Sequence, residues 1–222
     1  MGMLPDDIEV DRAFDYENLF MWSSHPSRIG KILTHYELFK RVMTVPGDII
    51  EGGVHKGGSL IRWATFRSLH GGSHSRRIVA FDAFDVFPIS DFAPDRAFVD
   101  HFVESAGHPL SAKQITDVLN AKGLGENVVL VAGDINDTAA SWVAEHPDTR
   151  VAFLHLDVDV YGASRALLDA FFPLLSPGGL VVLDDYGKFP GEGAAWDEFS
   201  GERGLRLVKS PLLAHVCVYE KT

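Results

Sequence analysis

This chain of 222 residues has little positive charge, a single cysteine and no long apolar run. Lys and Arg number 20 against 31 Asp and Glu, giving a formal charge of -11. No basic cluster offsets that balance, and surfaces for nucleic acid or anionic membrane recruit clustered Lys and Arg, so neither partner is expected. With Cys217 alone, an internal disulfide is excluded. No stretch approaches the roughly 20 apolar residues that cross a bilayer. The opening MGMLPDDIEVD lacks the charged and apolar regions of a secretion signal, so the expected location is the cytoplasm. A 46% hydrophobic content suffices for one α/β domain and is short for two. The expected organisation is a single domain over 1–222, with 1–46 an N-terminal arm and cap helix and 85–127 an inserted cover.

What is present is organised around Gly47 to Ser59, GDIIEGGVHKGGS. A short apolar run ends in Glu51, a glycine-rich turn follows, and Leu60-Ile61-Arg62-Trp63-Ala64 opens a helix. Such a turn lets a ligand approach the backbone and face the free N–H groups of the helix. A phosphate-binding P-loop needs lysine where this chain has Gly58, so the charge for a triphosphate is missing. A dinucleotide fingerprint is one residue narrower and lacks the acid at the strand end. Glu51, Gly53, Gly57, Gly58 and Ser59 suit instead a ligand without phosphate that carries an amine and a sulfonium, S-adenosylmethionine. A side chain at Gly57 is expected to enter the ligand's space.

Along the chain, residues 1–24 are acidic and aromatic by turns, which fits an arm or lid. Apolar residues from Ile29 to Met43 recur at helical spacing and stop at Pro46-Gly47; this helix packs over the site or the sheet edge, with Arg28 and His35 expected on a solvated face. Ile78 to Asp82 is a second buried strand, and Asp82 at its end can accept ribose hydroxyls. Residues 83–127 carry no strand signal but contain two helices, near 95–104 and 111–122; only one is needed for a crossover, so the excess is read as a cover that selects substrate. Val128 to Val131 is the third strand. Gly133 and Asp134 follow it, where adenine can lie, although Asp134 serves equally as the N-cap of a helix over 138–145. Val151 to Asp157 is the fourth strand, a helix from Ala163 to Leu175 follows, and Leu180 to Leu183 is the fifth, ending in Asp184-Asp185. In an open parallel sheet, the acids at successive strand ends meet in one crevice. Leu205–Val208 and His215–Tyr219 complete seven strands as an antiparallel hairpin.

The series EGGVHKGGS, FDAFDVFP, GDINDT, HLDVDVY, SPGGLVVLDDYG and AAWDEF resembles, in order and spacing, the macrocin O-methyltransferase family, metal-dependent enzymes that methylate sugar hydroxyls in antibiotic biosynthesis. The likeness spans Ser27 to Phe199. It implies a Rossmann-like class I methyltransferase fold: a seven-stranded, mostly parallel sheet with helices on both faces and an antiparallel last strand. By position it also implies metal ligands at Asp157, Asp184 and Asp185.

The chemistry of these residues agrees with that transfer. Converging carboxylates repel unless a cation lies between them, and hard oxygen donors favour Mg²⁺ or Ca²⁺. Asp157 is the expected base, with Asp159 the second choice. His155 shares the strand parity of Asp157 and is read as a buried histidine bonding a carboxylate; Lys188 contacts substrate or lies on the surface. Trp196 and Phe199 are read as core. The expected partner is a small hydroxylated acceptor, a polyol or sugar, and a homo-oligomer is left open. The competing readings are an NAD-linked oxidoreductase, which the wide loop and Glu51 disfavour, and a non-catalytic protein that kept the fold.

Overall fold

The computed structural model describes residues 7–85, 90–201 and 203–222. Residues 1–6 of the expected arm and 86–89 of the expected cover lie outside them. Five parallel strands come first: β1 (Asp48–Gly52), β2 (Ile78–Asp82), β3 (Val128–Ala132), β4 (Val151–Leu156) and β5 (Leu175–Leu183). β6 (Val208–Lys209) and β7 (Cys217–Glu220) complete the sheet in the order β3-β2-β1-β4-β5-β7-β6, with β7 antiparallel to both neighbours. The order reverses between β1 and β4, which is where open α/β sheets bind ligands.

Continuous apolar runs make these strands buried on both faces. Ile49, Phe153 and Val182 face one core with Trp63 and Phe39; Ile50, Leu154 and Val181 face the other with Leu167, Trp196 and Phe199. The helices are α1 (Ala13–Ser23), α2 (Pro26–Arg41), α3 (Gly58–His70), α4 (Ala93–Ala106), α5 (Ala112–Ala121), α6 (Ile135–Glu145), α7 (Tyr161–Phe171) and α8 (Pro190–Gly201). α1 buries none of its residues, whereas α2 buries Thr34, His35, Leu38 and Phe39. Trp196 and Phe199 are core, as their spacing predicts.

Several boundaries differ from expectation. The strand expected over Leu205–Val208 is β6 at Val208–Lys209, only its last expected residue pairing with β7. The helix expected to reach Leu175 stops at Phe171, because Pro173 turns the chain into a short 3-10 segment, and β5 starts at Leu175. β5 then runs through Ser176-Pro177-Gly178-Gly179; Gly178 N–H donates to the Lys221 carbonyl at 2.7 Å, and Lys221 N–H to Gly179 at 2.9 Å. α6 begins three residues earlier than expected, at Ile135, because Asp134 caps it by accepting from Asn136 N–H at 2.9 Å.

Candidate active site

A cleft of about 590 Å³ opens at the carboxyl ends of β1 to β4, within the size range of small-molecule sites. Gly53, Asp82, Gly133, Asp134, Asp157 and Asp159 line it, and the segment from Phe102 to Pro109 contributes to its wall. Phe102 of α4 and the turn before α5 thus border the cleft, while no residue of α5 lines it. Gly53 sits at φ 86°, and a Cβ there would lie 2.0 Å from the Asp157 carbonyl oxygen, so only glycine lets the two loops cross. Asp82 shapes the loop as well as lining the cleft. Its Oδ2 accepts from Val54 N–H at 2.7 Å and His55 N–H at 2.9 Å, and its Oδ1 accepts from Phe84 N–H at 2.8 Å.

Glu51, Gly57, Gly58 and Ser59 do not line the cleft. Glu51 is fully buried: Trp63 Nε1–H donates to its Oε1 at 3.2 Å and His155 Nδ1 lies 3.3 Å away, so its expected place beside a ligand amine is corrected. Strand parity explains this, since Glu51 follows Ile49 onto the face covered by α2 and α3. The reason for glycine at 57 is corrected too. With φ 78°, a Cβ there would lie 2.8 Å from Ile115 Cδ1 of α5, a packing constraint and not ligand space.

Beside the cleft, Asp157, Asp184 and Asp185 bring carboxylate oxygens within 4.8 Å of one another. Asp157 belongs to both places. Hard oxygen donors converging at two strand ends fit Mg²⁺ or Ca²⁺. The local charge fits as well: burial and the charge of Asp184 push Asp157 up to about 7 even with Lys31 and His155 nearby. Burial and Asp157 likewise push Asp159 up to about 9. Asp159 adopts a left-handed φ of 64° and its buried Oδ1 has no hydrogen-bond partner. Glu192 is fully buried on α8; its Oε1 accepts from Asp185 N–H at 3.1 Å, and burial raises its pKa well above the usual range.

Three side chains on one side hold Asp184, and the sequence reading found only one. His155 Nε2 lies 3.5 Å and His35 Nε2 2.9 Å from Asp184 Oδ1, while Lys31 Nζ pairs with Oδ2 and lies 3.7 Å from Asp157 Oδ2. Burial opposes a proton on His155, but hydrogen bonds to Asp184 and Glu51 outweigh it and push the imidazole up to about 9. His35 is different: burial lowers it to about 3, so it is neutral. Arg62 Nη1 donates to His35 Nδ1 at 3.4 Å, which leaves the proton on Nε2 to be donated to Asp184. Burial disfavours the charge on Asp184, yet these hydrogen bonds hold its carboxyl well below the usual range. Although His35, His155 and Asp184 also cluster closely enough for a metal, the Arg62 contact makes His35 a donor. The expected solvated placement of His35 is therefore corrected, while Arg28 is exposed. On the open side, Lys188 Nζ reaches Asp185 Oδ1 at 3.1 Å.

The strand order and the cleft at its reversal point define a Rossmann-like sheet of the methyltransferase kind, the fold of CalS11, TDP-rhamnose 3'-O-methyltransferase from calicheamicin biosynthesis (apo structure; TM-score 0.71, 25% identity, covering 96% of this chain and 86% of that one). Residues 33–219 match the family model for macrocin-O-methyltransferase (TylF), and the chain belongs to that family. Among curated proteins, it is 32% identical over 147 residues to the 8-demethyl-8-(2,3-dimethoxy-alpha-L-rhamnosyl)-tetracenomycin-C 4'-O-methyltransferase of Streptomyces olivaceus (64% of this chain, 54% of that protein). It is 31% identical over 147 residues to the mycinamicin III 3''-O-methyltransferase of Micromonospora griseorubida (64% of this chain, 56% of that protein). The match thus spans little more than half of these relatives. Among the described residues no helix is long and apolar enough to cross a membrane.

Proposed function

We propose that this chain is an S-adenosylmethionine-dependent, Mg²⁺-assisted O-methyltransferase acting on a hydroxyl of a sugar-containing natural product. The observation that supports the reading is the sharing of Asp157 between the cleft and the carboxylate triad, so that a cofactor in the one and an acceptor at the other would be neighbours. Family membership and the sugar-bearing substrates in the relatives' names support the acceptor class.

Gly53 and Gly133 give backbone close to the cofactor, and Asp82 and Asp134 line its polar contacts. Asp157, Asp184 and Asp185 hold the cation, which when bound supplies Lewis-acid charge that eases ionisation of a hydroxyl. Asp157 borders both the cleft and the triad, which suits it to accept the hydroxyl proton. Asp159, pushed up to about 9 by burial and Asp157, keeps its proton near neutrality and fits a donor better than a base. When bound, S-adenosylmethionine would supply the methyl group to the acceptor oxygen, the carbon–sulfur electrons staying on sulfur, and Asp157 would take the hydroxyl proton. Positioning the reactants in line is the remaining contribution.

The test is methyl transfer to a panel of polyols and sugar-bearing acceptors, with and without exhaustive chelation. Chelation is expected to abolish turnover while S-adenosylhomocysteine binding stays nearly intact, and Asp157→Asn to cost about 10²- to 10⁴-fold in rate without magnesium rescue. Full activity after chelation removes the metal role; stabilisation by NADH instead of S-adenosylhomocysteine in a melting assay favours the oxidoreductase reading.

A further inference from the structure

Lys31 and His35 stand one turn apart on α2 and both reach Asp184. The ammonium of Lys31 contacts Asp184 Oδ2 and lies 3.7 Å from Asp157 Oδ2, with 18% of its side chain exposed. Those two residues are also members of the carboxylate triad. We propose that Lys31 is a built-in cation of the triad that competes with a divalent ion for Asp157 and Asp184, so that metal entry drives its side chain outward while α2 stays in place. This inference rests on the reading of the triad as a metal site.

Geometry and chemistry both require the competition. An ammonium carries three donors and no acceptor, so it cannot join the coordination shell. Mg²⁺ takes oxygens at about 2.0–2.1 Å in a demanding octahedron, which leaves no room for an ammonium against the same carboxylates. The helix itself is tied down. Thr34 Oγ1 meets Ser210 Oγ at 3.2 Å, His35 meets Asp184, and Tyr36 Oη meets His70 Nε2 at 2.9 Å. Lys31 hangs from that anchored backbone on a flexible four-carbon stem, and its partial exposure gives the ammonium a way out to water. A monovalent ion replaces one charge with an equal one and gains nothing; a divalent ion adds charge to an acid-rich site. The lysine thus sets a threshold that favours divalent cations.

Magnesium chloride alone is the probe. In calorimetry, Lys31→Met and Lys31→Gln are expected to bind Mg²⁺ about tenfold or more tightly than wild type, because no resident charge has to be displaced. A remote charge effect would tighten binding too, so a second measurement follows the lysine in the wild-type protein. Acylation of surface amines, read by peptide mass spectrometry, is expected to label Lys31 severalfold faster with Mg²⁺ than with chelator, while Lys122 is unchanged. The labelling decides the matter alone if the variants fail to fold. Equal Mg²⁺ affinity in folded variants and wild type overturns the proposal, and so does Lys31 labelling indifferent to Mg²⁺. Absence of Mg²⁺ binding in all three proteins overturns the metal reading and this one together.

Discussion

The cleft and the acid cluster share one sheet edge and one residue, yet their carboxylates are answered in opposite ways. In the cleft, Asp82 and Asp134 accept from backbone N–H groups of Val54, His55, Phe84 and Asn136, so their charges are settled by local chain geometry. In the cluster, among the described residues, the Asp184 carboxylate is answered by side chains from distant elements, Lys31 and His35 of α2 and His155 of β4. An acid at a strand end becomes a loop clamp where amides turn toward it, and draws in charged side chains where they do not.

The sharpest way to break the comparison is Asp184→Ala, which leaves the buried charges of His155 and Lys31 without their shared partner. It is expected to cost about 3–5 kcal/mol of stability in urea denaturation with chelator present, and a neutral effect would show the cluster to be no better knit than a surface. pH comes next. His155 is raised to about 9 from 6.5, so its contribution is complete below pH 6.5 and is lost as pH rises through 9. Asp159, raised from 3.8 to about 9, keeps its proton in the fold where the unfolded chain has released it, so its contribution falls steadily from about pH 4 up to 9, a range that includes the His155 window. Both signs agree, so chelated protein is expected to lose about 2–4 kcal/mol between pH 7 and 9, with Asp159→Asn flattening the curve; equal stability at the two ends would contradict the assignment. Asp82→Ala is expected to have the smallest effect. It should weaken S-adenosylhomocysteine binding by about 1.5–3 kcal/mol in calorimetry, with no change in Mg²⁺ affinity, and unchanged cofactor affinity would remove Asp82 from that role.

Much of this was legible in the sequence, because strand ends are local features. Apolar runs followed by Glu51, Asp82, Asp134, Asp157 and Asp184 marked the five parallel strands, and the late run from His215 to Tyr219 marked β7, while β6 lies at Val208–Lys209, at the end of the run expected for it. What was illegible depended on which face a side chain takes. Glu51 was placed by position along its strand, although its parity with Ile49 already turned it from the cleft. His35 looked like a solvated polar residue, but it is spaced three from Ile32, three from Leu38 and four from Phe39, on the stripe that α2 buries. Lys31, one turn back from His35, could be found only after that correction. Asp82's hold on the loop left no signal, since it depends on amide directions in a turn.

α4 is held unequally at its two ends. At the start, fully buried Asp95 accepts through Oδ2 from Tyr161 N–H at 2.9 Å and from Ser90 Oγ–H at 2.7 Å, and Gly191 fits against it because a Cβ there would lie 2.3 Å from Asp95 Oδ1. At the far end, Lys56 Nζ donates to the Ala106 carbonyl at 2.7 Å, and His55 Nε2 meets the Gly107 carbonyl at 3.2 Å, both in exposed positions. Exposed hydrogen bonds exchange readily with water, whereas a buried carboxylate stripped of its donors is costly. Loss of either set of contacts therefore has unequal consequences: a change at Asp95 strips a buried carboxylate of its partners, whereas a change at His55 or Lys56 frees carbonyls that water can satisfy.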